Sequence, residues 1–124
     1  MKVLFVEDDP MNRRVVKAML EVAGCQMDEA ESGAASVAMV EAEAYELILM
    51  DLRMPGMDGL TAIKHIRALG DAKGAAPIVV VTADTAPDLR ADCLTAGAND
   101  FVMKPVSMTE LFNVIAKVMV SNGA

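Results

Sequence analysis

The chain has 124 residues, 54% hydrophobic and 23% charged, with a formal net charge of -7. At roughly 100–200 residues per domain, the whole chain, residues 1–124, reads as one domain with enough apolar content for a full core, which excludes disorder. The 18 acidic residues against 11 basic, with 3% aromatics and no Trp, exclude a nucleic-acid groove, a base-stacking platform and an anionic membrane surface as direct partners. Cys25 and Cys93 lie far apart, without a CxxC or a His at ligand spacing, and read as reduced thiols of a cytoplasmic protein. The first apolar run stops at Glu7, too soon for a secretion signal, and no run approaches the ~20 apolar residues of a membrane span.

Continuous apolar runs at residues 3–6, 47–50, 78–81 and 101–103 read as strands buried on both faces. A fifth strand, at about residues 26–30, mixes polar and apolar positions and fits a sheet edge. Helical stripes alternate with these strands. Met11, Val15, Met19 and Val22 form the first; Leu60, Ile63, Ile66 and Leu69 form another; Leu111, Phe112, Ile115, Val118 and Met119 form the last. Residues 34–44 and 87–96 are weaker, Ala-rich helices. Asp9 before Pro10 marks a helix start, Asp58 and Ser107 are further caps, and Gly24, Gly70 and Gly97 fall where helices end. Five strand–helix alternations predict a three-layer α/β sandwich around a parallel sheet.

In such sheets ligands bind beyond the carboxyl ends of the strands. There the chain places Glu7, Asp8 and Asp9 after the first run, Asp51 after a central run, Thr82 after the next and Lys104 after the last. Crowded carboxylates raise one another's cost of ionisation, and a hard divalent cation relieves it. One carboxylate can then attack phosphorus to give an acyl phosphate, with the metal and Lys104 neutralising charge on the transferring group and Thr82 able to hydrogen-bond a phosphoryl oxygen. Taken singly, each acid has a plainer role: Asp8 and Asp9 as helix caps, Asp51 as a solvated loop acid.

Four segments in order, Val6-Glu7-Asp8-Asp9, Leu49-Met50-Asp51-Leu52-Arg53-Met54-Pro55-Gly56-Met57-Asp58-Gly59, Val81-Thr82-Ala83 and Val102-Met103-Lys104-Pro105, make the sequence resemble the receiver domain of two-component response regulators over essentially its whole length. The resemblance implies a flavodoxin-like (βα)5 fold with strand order 2-1-3-4-5, an order for which a chemotaxis receiver is a standard example. It implies Asp51 as phosphoacceptor, and Mg2+ held by the side chains of Asp9 and Asp51 and the backbone carbonyl of Arg53, with Asp8 acting through a coordinated water. It further implies a cis Lys104-Pro105 bond, contacts from Thr82 and Lys104 to the phosphoryl group, and Phe101 as the aromatic that moves inward as Thr82 is drawn to the phosphate.

The implied donor is a phosphohistidine on a histidine kinase or histidine phosphotransfer protein. The implied output is a protein partner on the face of the fourth helix, fifth strand and fifth helix. A monomer or weak dimer that promotes its own phosphorylation and dephosphorylation, rather than a dedicated enzyme, completes the expectation. Starting at Met1 and ending after the fifth helix, the chain reads as a stand-alone receiver. An excised receiver of a hybrid kinase is the rival, because Asp9-Pro10-Met11-Asn12-Arg13 resembles that subgroup.

Arg53 and Asp84 are expected to flank the pocket mouth and to pair across it, and the small Ala83 to leave the acceptor accessible. His65 reads as a solvent-facing spectator and most of the 11 Met residues as packing, with Met54 and Met57 set aside as donor contacts. A haloacid-dehalogenase-type hydrolase would need Asp or Thr two residues past the nucleophile, where Arg53 stands. A binding-only pseudo-receiver would have lost a site residue. A nucleotide-binding Gly-rich loop is absent.

Overall fold

A computed structural model describes residues 1–54, 56–83 and 86–123, with side chains as far as 120. Strands β1 (Lys2–Val6), β2 (Gln26–Ala30), β3 (Leu47–Asp51), β4 (Ile78–Thr82) and β5 (Asp100–Met103) alternate with helices α1 (Pro10–Val22), α2 (Gly33–Ala42), α3 (Gly59–Arg67), α4 (Leu89–Ala96) and α5 (Met108–Gly123). The strands form one parallel sheet in the order β2-β1-β3-β4-β5. Val6 pairs with Met50, Met50 with Val80 and Val81 with Val102, so the strand ends line up along one edge.

Strand alternation divides the core into two layers. Val3, Phe5, Leu47, Leu49, Val79 and Val81 meet Val16 and Leu20 of α1 and Leu111, Ile115 and Val118 of α5. The intervening residues, among them Leu4, Ile48, Met50, Ile78 and Val80, pack against α2, α3 and α4 through Val40, Ile63, Ile66 and Cys93. Because side chains alternate with period two, Glu7, Asp51 and Lys104 continue the α1/α5 series beyond these rows, and Thr82 continues the opposite one.

The structure changes two expectations about packing. On α1 the buried residues are Val16 and Leu20, whereas Met11, Val15 and Val22 are 59, 46 and 70% exposed. Stripes one residue apart are both apolar here, and the inward one is begun by Asn12, so periodicity pointed to the wrong face. Strand β5 lies at a sheet edge with Phe101 and Met103 half-buried, unlike β1, β3 and β4, which are buried on both faces. The mixed strand β2 occupies the other edge, as its pattern predicted.

Helix ends follow local chemistry. Asp9 Oδ1 accepts from Met11 N at 2.9 Å, Asp58 Oδ1 from Thr61 N at 2.8 Å and Ser107 Oγ from Glu110 N at 3.1 Å. Gly59 lets α3 begin directly behind the strand end: a Cβ there would stand 2.3 Å from the carbonyl oxygen of Asp51 and 2.8 Å from Leu52 Cα. At the far end of the sheet Arg67 donates to the carbonyls of Gly97, Gly74 and Ala76 at 2.9, 2.8 and 2.6 Å and to Asn99 Oδ1 at 2.9 Å. Asn99 Oδ1 also accepts Ile78 N at 2.8 Å, so one guanidinium ties the end of α3 to the entries of β4 and β5. Cys25 and Cys93 are free thiols. Among the described residues no helix is long and apolar enough to cross a membrane.

Candidate functional site

The carboxyl ends of β1, β3 and β5 open into a cleft of about 620 Å³ lined by Glu7, Asp8, Asp9, Asn12, Asp51, Arg53, Ala83 and Lys104. Asp51, the last residue of β3, is 3% exposed at the base of this cleft. Lys104, immediately after β5, sends its ammonium between two acids: Nζ lies 2.7 Å from Glu7 Oε1 and 3.4 Å from Asp51 Oδ1. Lys104 N donates to the Thr82 carbonyl at 2.7 Å, and the Lys104-Pro105 bond is cis, as the resemblance implied.

Glu7 is the most enclosed acid of the group, 1% exposed. Burial pushes its carboxyl above the usual range, contact with Asp51 pushes the same way, and Lys104 pulls it back without cancelling the rise. For Lys104, burial favours the neutral amine, but the hydrogen bond to Glu7 and the charge of Asp51 outweigh it and hold the ammonium above its ordinary value. The cation is thus retained inside the cleft.

Glu7, Asp8 and Asp51 each offer an oxygen, and these oxygens lie within 4.8 Å of one another. Three hard anionic donors at that spacing fit a small divalent cation. Asp9 is not in this group: its carboxylate turns to the N-terminus of α1, the capping role weighed for it from sequence, though it still lines the cleft rim. The expected ligand pair was Asp9 and Asp51; the acids whose oxygens gather around Asp51 here are Glu7 and Asp8, with Asp9 one step outside that group. Glu7 was legible only as the first residue past the strand, in register with Phe5 and on the same side of the sheet as Asp51.

Arg53 is exposed at the cleft, its N–H 3.4 Å from Asp51 Oδ1. Asp84, its expected partner, lies outside the described residues. Thr82 is fully buried at the end of β4, and Ala83, exposed, forms the wall there. Phe101 is half-buried against the α2–α3–α4 core and lines a groove of about 390 Å³ with Arg90, Glu110 and Val114. His65 is exposed, as expected. Met54 is 8% exposed and packs in the core, and Met57 is half-buried against it, which removes Met54 as a donor contact. Met11, in the first turn of α1, is 59% exposed.

A family of proteins with this arrangement, the response regulator receiver domains, matches residues 3–116. The chain belongs to that family. It is 43% identical over 120 residues to the two-component response regulator ORR41 of Oryza sativa subsp. japonica, covering 94% of this chain and 92% of that protein. It is 38% identical over 118 residues to the sensor protein GacS of Pseudomonas syringae pv. syringae, of which it spans 13%. Among solved structures it resembles the receiver domain of sensor histidine kinase PA1611 from Pseudomonas aeruginosa PAO1, with a magnesium ion coordinated in the active-site cleft, at TM-score 0.87 and 35% identity, covering 99% of this chain and 98% of that one. A chemotaxis protein, CheY4 of Vibrio cholerae, matches at TM-score 0.87 and 28% identity over 94% of this chain and 97% of its own. This receiver is thus a module of two-component or phosphorelay signalling, a family whose general function is phosphotransfer to an aspartate. The flavodoxin-like fold and strand order are those the resemblance implied.

Proposed function

We propose that the receiver accepts a phosphoryl group on Asp51 from a phosphohistidine of a histidine kinase or histidine phosphotransfer protein. The observation that carries this is Asp51 Oδ1 at the base of the acidic cleft, 3.4 Å from the Lys104 ammonium. A carboxylate oxygen of Asp51 attacks phosphorus, the phosphorus–nitrogen bond breaks, and the imidazole nitrogen keeps the electron pair. The product is an acyl phosphate. Lys104, already between Glu7 and Asp51, can turn to the arriving oxygens without leaving the cleft. Enclosure in the cleft strengthens that contact.

Glu7, Asp8 and Asp51 would hold Mg2+, with the Arg53 carbonyl that the resemblance implies; the PA1611 receiver, of the same fold, has a magnesium ion coordinated in its active-site cleft. When bound, the ion neutralises charge on the carboxylates and the phosphoryl oxygens. The domain promotes its own phosphorylation and dephosphorylation rather than turning over a substrate as a dedicated enzyme, and works in the cytoplasm.

Phosphorylation adds about two negative charges and three acceptor oxygens. Thr82, at the end of β4, is drawn to them, and half-buried Phe101 on neighbouring β5 moves into the space left. The α4–β5–α5 face then presents a changed surface to a protein partner. Phosphotransfer from a panel of kinases and phosphotransfer proteins tests the reading. Wild type is labelled and Asp51→Asn is not; labelling of Asp51→Asn would overturn it.

A further inference from the structure

Helix α1 inverts its own polarity pattern at the cleft. Its inward side holds Asn12, Val16 and Leu20, while Met11, one residue away, is 59% exposed. An amide therefore stands at the first inward position of the helix, where an apolar residue would ordinarily pack. A half-buried amide in such a place requires a partner, and the partner is Glu7: Asn12 Nδ2 donates to Glu7 Oε1 at 3.0 Å. Lys104 Nζ donates to the same oxygen at 2.7 Å, so both donors converge on Oε1 and neither engages Oε2. The next residue of α1 holds the main chain, Arg13 Nη1 donating to the Glu7 carbonyl at 2.7 Å while its Nε donates to Glu29 at 3.2 Å. Consecutive residues of one helix thus fix Glu7 by side chain and by backbone.

We propose that Asn12 is a positioning residue for divalent-cation binding: by holding Glu7 Oε1 beside Lys104 it fixes the rotation of that carboxylate within the Glu7, Asp8 and Asp51 cluster. It has a second consequence for phosphotransfer. When Lys104 turns to a phosphoryl group, Glu7 would lose one of its two donors while still buried, and Asn12 keeps the oxygen hydrogen-bonded. Without Asn12, Glu7 competes harder for Lys104. This inference rests on the reading of the cleft as an Mg2+ and phosphoryl site.

Calorimetric titration of the full chain with MgCl2 tests it in wild type, Asn12→Leu, Asn12→Gln, Glu7→Gln and the Glu7→Gln/Asn12→Leu double variant. Asn12→Leu, close in size but without the N–H, binds Mg2+ about tenfold more weakly. Asn12→Gln, which keeps an amide donor, retains most of the affinity. Adding Asn12→Leu to Glu7→Gln weakens binding no further, because the effect runs through Glu7. Phosphorylation of Asn12→Leu by acetyl phosphate is slow at limiting MgCl2 and recovers only in part at saturating MgCl2, because Glu7, short of one donor, still holds Lys104. Asn12→Ala replaces Asn12→Leu should the latter fail to fold, as a thermal melt reports. Wild-type affinity in Asn12→Leu, or a loss undiminished in the Glu7→Gln background, would overturn the assignment. Absence of Mg2+ binding by wild type would instead overturn the reading of the cleft itself.

Discussion

Glu7 and Lys104 form an ion pair 2.7 Å long between the ends of β1 and β5, strands separated in the sheet by β3 and β4. The Glu7 side chain is 1% exposed and that of Lys104 21%. Removing one partner of a buried pair costs more than removing both, because a charge is left unpaired. Lys104→Met is expected to destabilise the fold by about 1–3 kcal/mol, less than for a wholly buried pair because water reaches the ammonium. Adding Glu7→Gln should return part of that loss. Urea denaturation of the two single variants and the double variant checks this; strictly additive losses would contradict it.

Asp58 caps α3 through a 2.8 Å bond from Thr61 N, and that bond holds its carboxyl below the ordinary 3.8. A carboxyl lowered in the folded state adds stability above its unfolded value and loses it as pH falls through the folded one. Asp58→Ala should cost about 1 kcal/mol at neutral pH. The gap between wild type and variant should narrow as pH drops below 3.8. Thermal melts across that range measure it, and a gap that widens on acidification would contradict the cap.

Gly59 touches the site through the backbone rather than through chemistry. A methyl group there meets the Asp51 carbonyl at 2.3 Å, so Gly59→Ala must displace either α3 or the end of β3. We expect a loss of about 1–3 kcal/mol, typical of overpacking, together with weaker Mg2+ binding. Chemical denaturation and MgCl2 titration test both. Wild-type values for the pair would show that the strand end is not constrained from α3.

Arg67 makes four hydrogen bonds with no carboxylate among their acceptors, and burial pulls its guanidinium below the usual value. Its planar fork suits this set of carbonyls and a Lys ammonium does not. Arg67→Lys and Arg67→Met should therefore destabilise similarly, by about 2–3 kcal/mol, since buried carbonyls lose donors in both. Phosphotransfer, proposed for the cleft at the opposite sheet edge, should persist in both variants under folding conditions. Equilibrium unfolding alongside phosphorylation assays separates the two effects.

Much of this architecture is legible in the sequence because β1, β3 and β4 are buried on both faces and their apolar runs admit no other placement. Helix α1 was harder. Met11, Val15, Met19 and Val22 keep helical spacing as well as Val16 and Leu20 do, and only the demand of Glu7 for a donor explains why Asn12 faces inward. In the acidic run, three successive carboxylates carry no mark of which of them gather with Asp51. Strand alternation sends Glu7 inward, and the helix N-terminus claims Asp9. Met54 looks like a loop residue from its neighbours Arg53 and Pro55, yet it joins the core beside α3.

The claim that Asp51 accepts the phosphoryl group is tested most directly by locating the modification. The receiver is phosphorylated from a phosphohistidine donor in the presence of MgCl2, reduced with borohydride and mapped by mass spectrometry. An acyl phosphate is reduced to an alcohol, so the account predicts homoserine at Asp51 and at no other acid. Homoserine at Asp8 or Asp9, or phosphate retained on His65, would contradict it.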